Sequence, residues 1–133
     1  MLPFECIVEG PPVSLQTKRR GRLQAWKQKI AHAARQVVAE GQPHSEQVIF
    51  RVTYYYDGAS PDVDNIIKPI QDALVGIVYE DDDQVQETSA RKRDLDGAYR
   101  IRGASPLVVQ GFLNGVNFLH IKVDSYNPTP ILD

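Results

Sequence analysis

Cysteine is almost missing from this chain. Among 133 residues there is one, Cys6, so neither an intrachain disulfide framework nor a cysteine-built zinc site is available. Long apolar runs are missing too. No window reaches the ~20 apolar residues that a membrane span needs. The opening MLPFECIVEG has neither the basic front nor the apolar stretch of a secretory leader. A cytoplasmic protein without membrane contact is therefore expected. An excess of positive charge is also lacking: the formal net charge is −2 and the pI about 5.9. That argues against a protein that coats DNA non-specifically, which would be basic overall. His32, His44 and His120 show no metal-ligand spacing and receive no role. Internal repeats and low-complexity tracts are absent.

What is present fits one domain. The length suffices to bury a single modest core, and 42% hydrophobic with 24% charged residues is ordinary for a globular protein. We place the domain over 1–126, with 127–133 as a flexible C-terminal tail around Pro128 and Pro130. The mean charge conceals a split. Residues 1–40 hold seven Lys/Arg against three Glu, whereas residues 57–96 hold eleven acids against four bases. A basic segment beside an acidic one is either solvated surface or a set of phosphate-binding groups next to a metal site.

Periodicity gives the elements. Phe4 to Glu9 partly alternates and stops at Gly10-Pro11-Pro12, as a strand does. From Arg22 to about Glu40, Leu23, Trp26, Ile30, Ala33, Ala34, Val37 and Val38 fall on one helical stripe, with Gly41 in the C-cap position. Trp26 belongs to that stripe and reads as core. Gln47 to Tyr56 alternates as a strand and ends at Asp57-Gly58-Ala59-Ser60-Pro61. A helix follows, capped by Asp64 or a neighbour, running to about Gly76 and interrupted by Pro69 near its first turn. Residues 84–94 read as a strand, Asp96-Gly97 as a turn, and Ala98–Arg102 as a segment pairing back. Ser105-Pro106 opens a short helix, and Asn117 to Val123 is a last strand. The fold class is α+β, a small mixed β-sheet packed with two main helices.

The acids carry the chemistry. After a proline the chain is expected to be extended, so Asp62 and Asp64 point to one side. Two carboxylates held together repel unless a cation lies between them, and Mg²⁺ suits such hard oxygen ligands. Asp-x-Asp alone reads first as a turn or an N-cap. Asp64, Lys68 and Asp72 are spaced four apart on a helix face, which makes Lys68 an ion-pair strut or a phosphate contact. Glu80-Asp81-Asp82-Asp83 lies between Ile77-Val78-Tyr79 and the strand from Gln84. That setting either solvates the acids or aims one or two of them at Asp62 and Asp64. An EF-hand loop does not fit.

The whole string is Pro61-Asp62-Val63-Asp64-Asn65, Lys68, Asp72-Ala73-Leu74, Gly76, then Asp81-Asp82-Asp83-Gln84-Val85. It closely resembles the RusA family of Holliday junction resolvases, strongly over 61–85 and by element order elsewhere. The resemblance implies a RusA-like fold and three catalytic carboxylates, Asp62, Asp64 and Asp82. Asp81 matches an accessory metal ligand, Lys68 the family's essential lysine, and Asp72 a position supporting that lysine. Asp83 is a departure, an acid where many relatives have a neutral residue. The 95–115 segment is longer than the minimal fold needs.

The implied activity is a Mg²⁺-dependent endodeoxyribonuclease, Mn²⁺ substituting, acting as a homodimer on four-way DNA junctions by paired symmetric cuts in recombination and repair. Alternatives are a nuclease of other branched or unbranched DNA, a catalytically silent DNA-binding protein, and a structural domain with a solvated acidic rim. An acidic site repels DNA, so binding groups are sought elsewhere. Lys18, Arg19, Arg20 and Arg22 lie before the first helix. Arg91 and Arg93 share a strand face from which Lys92 points away. Either run is otherwise a solubilising surface.

Overall fold

Alternating strands and two amphipathic helices assemble into an α+β fold, here described from a computed structural model. The structure describes residues 2–39, 41–58 and 62–133. Its strands are β1 (Phe4–Glu9), β2 (Val48–Tyr56), β3 (Val85–Asp94) and β4 (Phe118–Ser125). Its helices are α1 (Arg20–Val38), α2 (Asp64–Leu74) and α3 (Pro106–Asn114). The sheet order is β1-β4-β2-β3. β4 is antiparallel to both neighbours, while β2 and β3 run parallel. A parallel pair needs a crossover connection, and α2 is that connection.

Alternation sorts the sheet's faces. Phe4, Cys6, Val8, Val48, Phe50, Val52, Tyr54, Leu119, Ile121 and Val123 point to one side. There they join Trp26, Ile30 and Ala34 of α1 and Ile66, Ile70 and Leu74 of α2 in the main core. Ile30, Ile66, Ile70 and Leu74 are fully buried, each burial contributing roughly 1.5–3 kcal/mol. Trp26 is core as expected, although its Nε1 has no hydrogen-bond partner. Cys6 is buried, and burial pushes its thiol up to about 12. The other face carries Phe118, His120, Lys122, Arg51, Thr53, Tyr55, Arg91 and Arg93 by register. α3 covers part of it, with Phe112 edge-on to Phe118 and Tyr55. Gly111 is buried against the Phe118 ring, where a Cβ would overlap it.

Five expectations are corrected. α1 begins at Arg20, not Arg22, and closes on Ala39, whose φ is +56° and whose N–H donates to Arg35 O. Gly41 is therefore not the cap, and Glu40, the expected helix end, lies outside the described residues. Val37 is half exposed rather than core. Val63 is helical at φ −58°, ψ −42°, so Asp62 and Asp64 do not sit on an extended segment. The chain has already turned into α2, and Asp62 O accepts from Asn65 N at 3.1 Å. Ala98–Arg102 forms no strand. Tyr99 instead turns its hydroxyl to Asp94 O at 2.6 Å, holding the segment as a loop. The breaker residues Ala59–Pro61 lie outside the described residues. Ser105 does cap α3, its Oγ accepting from Leu107 N at 3.2 Å.

Candidate active site

Proline 69 shapes the start of the site. It has no N–H to donate to the carbonyl four residues back, that of Asn65. The backbone N–H of Leu15 takes this place, donating to Asn65 O at 2.9 Å. The helix bearing Asp64 and Lys68 is thereby tied to the loop that leads to Lys18, Arg19, Arg20 and Arg22. All four of these cations are exposed.

Further along α2, Lys68 Nζ lies 3.0 Å from Asp72 Oδ1, one turn on, and 2.5 Å from Asp82 Oδ2, across on the turn before β3. Lys27 of α1 approaches Asp72 Oδ2 at 3.7 Å. The hydrogen bonds to Asp82 and Asp72 hold the Lys68 ammonium above its ordinary pKa. Reciprocally, the Lys68 bond and then a bond with Asp81 hold the Asp82 carboxyl below the usual aspartate range. All three groups stay partly open to solvent.

Gln84 holds the acidic turn in place. Its Oε1 accepts from the backbone N–H groups of Glu80 and Asp81 at 2.8 and 2.9 Å. Its Nε2 donates to the carbonyls of His44 and Glu46, both at 2.7 Å. One amide thus pins the turn to the segment before β2. Asp81 Oδ1 caps the following 3-10 turn (Asp82–Gln84), accepting from Asp83 N at 3.4 Å, and Asp83 is exposed. Neither Gln84 nor Lys27 was singled out in the sequence. The signal for Gln84 was there: Asp81 followed three residues later by Gln is a capping-box pattern.

Asp62 and Asp64 are exposed at the front of α2, one turn before Lys68. Among the described residues no group of three or more His, Cys, Asp or Glu stands close enough to hold a metal ion. The structure therefore brings Lys68, Asp72 and Asp82 together, but not Asp62 and Asp64 with Asp82. The donor set is nonetheless of one kind, exposed carboxylate oxygens with no sulfur or imidazole among them. That chemistry fits a hard divalent ion.

Arg91 and Arg93 stand on the sheet face away from the main core, in register with Thr53 and Tyr55, and Lys92 stands opposite with Tyr54, as the alternation predicts. Arg91 Nε reaches Thr53 Oγ1 at 3.4 Å. His120, given no role above, lies 2.7 Å from Glu5 Oε1 through its Nε2. Burial raises the Glu5 carboxyl, but bonds from Ser105 and His120 outweigh it and leave the group below its ordinary pKa.

The profile of the family described as Endodeoxyribonuclease RusA matches residues 13–102. This chain belongs to the RusA endodeoxyribonuclease family. The match takes in the Leu15 loop, α1, β2, α2, the acidic turn and β3, and ends before α3. No curated protein matches the chain. Membership makes the protein an endodeoxyribonuclease, an enzyme that hydrolyses phosphodiester bonds, in a family that depends on divalent metal. No described helix is long and apolar enough to cross a membrane.

Proposed function

We propose that the chain is a Mg²⁺-dependent resolvase of four-way DNA junctions, with Asp62, Asp64, Asp82 and Lys68 as its catalytic residues. The observation that carries this reading is the Lys68–Asp82 contact, in which a cation from the motif helix meets an acid from the turn before β3. Asp62, Asp64 and Asp82 would hold the ion, with Asp81 accessory, and Mn²⁺ would substitute because it accepts the same oxygen ligands. When bound, the ion supplies neutralisation of the scissile phosphate and a more acidic water.

The chain's own residues do the remainder. Lys68 is held charged between two carboxylates and placed to meet a phosphate oxygen as negative charge builds on it. Asp72, itself approached by Lys27, keeps the Lys68 ammonium from swinging away. Gln84 fixes the backbone from which Asp82 projects. Lys18, Arg19, Arg20 and Arg22 grip the DNA backbone beside α2, and Arg91 and Arg93 grip it from the sheet. Two copies acting together fit a junction with two-fold symmetry, so we assign a homodimer making paired cuts.

The test is a synthetic four-way junction beside a matched duplex, with Mg²⁺ and with EDTA. Wild type should cut the junction symmetrically in Mg²⁺ alone. Asp62→Asn and Asp64→Asn should bind the junction and leave it uncut. Equal cutting of duplex and junction would reduce the reading to a general nuclease, and wild-type rates in either Asn variant would remove that residue's role.

A further inference from the structure

The cleft between β3 and α3 takes in Arg91 and Arg93, already assigned to the DNA backbone, and adds residues given no role so far. It is a cavity of about 620 Å³ lined by Arg91, Arg93, Arg100 and Arg102, by the rings of Tyr99 and Phe112, and by aliphatic side chains from α3 and the loop before it. Among the described residues none of these four arginines makes an ion pair within 4.0 Å, since the four ion pairs found involve other cations. Acids nearby do not neutralise them. Asp94 is in register with Tyr56 and so faces the opposite side of the sheet. Glu5, on the neighbouring part of this face, is already engaged by His120. Four unpaired cations gathered on one cleft of an otherwise acidic protein favour an anionic occupant.

The rings narrow the choice. Tyr99 is 41% exposed and packs at 6.3 Å from Phe112, which in turn lies 5.1 Å from Tyr55. A free anion would not need aromatic rings. An intact duplex would not use them either, because its bases are stacked inside and it offers only phosphate and groove edges. A cavity of this size admits single nucleotides, as small-ligand sites do, and excludes a double helix. Arginines tracking a backbone, beside rings that accept a base face, are the elements of single-strand recognition.

We propose that this cleft holds an unpaired segment of a DNA strand, its phosphates on Arg91, Arg93, Arg100 and Arg102 and a base against Tyr99. The site deepens the nuclease reading and rests on it for the nature of the ligand. Phe112 belongs to α3, beyond the end of the family match at residue 102, so the complete cleft is a property of this chain rather than of the matched region.

The experiment measures binding of the full chain to a fluorescent oligothymidylate and to a duplex of equal length, in EDTA so that nothing is cut. Wild type should bind the oligothymidylate. Tyr99→Ala should weaken that binding roughly tenfold, the scale of one lost stacking contact, and Tyr99→Phe, which keeps the ring but gives up the bond to Asp94 O, should retain most of it. Arg100→Ala with Arg102→Ala should also weaken it and lower its salt dependence, while duplex binding changes little. These positions are exposed, and a melting curve checks each variant's fold.

Unchanged oligothymidylate binding in Tyr99→Ala overturns the proposal. So does absence of such binding in a wild-type enzyme that still cuts junctions, an outcome that leaves the nuclease reading intact. Binding lost with Tyr99 in a protein that cuts no DNA supports the cleft and fails the nuclease reading. Sedimentation supplies the last arm. If Tyr99→Ala or Leu113→Glu splits a dimer and leaves oligothymidylate binding unchanged, the cleft is an interface between copies and the proposal is wrong.

Discussion

The N–H of Leu15 donates to the carbonyl of Asn65 at 2.9 Å, in the place that Pro69 leaves open. A missing helical hydrogen bond thus becomes a link between the basic loop and the motif helix. Pro69→Ala would return a competing donor to α2 and improve its helix propensity. We expect a melting temperature that is held or raised, together with weaker junction binding and slower cutting. If affinity and rate stay at wild-type levels, the link has no functional weight.

Lys68 is the second test. Lys68→Ala should lower the cleavage rate by about 10²-fold or more, the usual scale for losing a preorganised group that meets transition-state charge. Stability should change by less than about 1 kcal/mol, because the ion pairs are open to solvent. Lys68→Arg should not restore the rate, since a planar fork does not replace a compact ammonium. Single-turnover cleavage beside a urea melt separates the two effects.

Gln84→Glu is nearly isosteric but cannot donate to His44 O and Glu46 O. It should cost about 1–3 kcal/mol through the carbonyls left facing a carboxylate. It should also slow cleavage by displacing Asp82, although Gln84 touches no substrate in our scheme. Gln84→Glu with wild-type kinetics would show that the turn does not depend on this amide.

The fold was legible where one physical signal dominated. β1, β2 and α3 were visible from alternation and from the Ser-Pro start. Asp72 as a support for Lys68 followed from helical spacing. The errors came where tertiary contacts overrode local pattern. Gly41 carried the C-cap signal, yet Ala39 takes the positive φ. Ala98–Arg102 had strand composition but lost its register to the Tyr99–Asp94 bond. The local geometry of Asp62-Val63-Asp64 was misread because the rule for the residue after a proline gave way to the start of α2. Lys27 was invisible as a site neighbour, since nothing local in α1 says that it packs beside Asp72.

Glu5 supplies a pH test. Its carboxyl is held below the ordinary value in the folded protein, so its contribution is present above the unfolded glutamate pKa of ~4.3. It is lost as pH falls through the lower folded value. Glu5→Gln should therefore destabilise by roughly 1 kcal/mol at pH 7 and by much less at pH 3. A deficit that is the same at both pH values would assign the loss to packing of α3 rather than to the charge.

Salt gives the last prediction. Each phosphate contact contributes nearly one unit to the slope of log affinity against log salt concentration. Arg93→Ala and Arg20→Ala should each reduce the slope for junction binding by about one, and the double variant by about two. A slope that ignores both substitutions would leave these arginines as surface charge.

β3 has a consequence of its own. It starts beside the Asp82 turn and carries Arg93 near its far end. At ~3.3 Å per residue, Val85 and Arg93 stand roughly 26 Å apart along a strand that hydrogen bonds to β2 keep from stretching. That length corresponds to about eight base steps of B-form DNA at ~3.4 Å each. With Arg93 as a grip, as proposed above, the strand would act as a ruler and set how far the cut falls from that grip, whatever the bases are. Inserting two residues into β3 would disturb its pairing, so the interval is as fixed as the sheet itself.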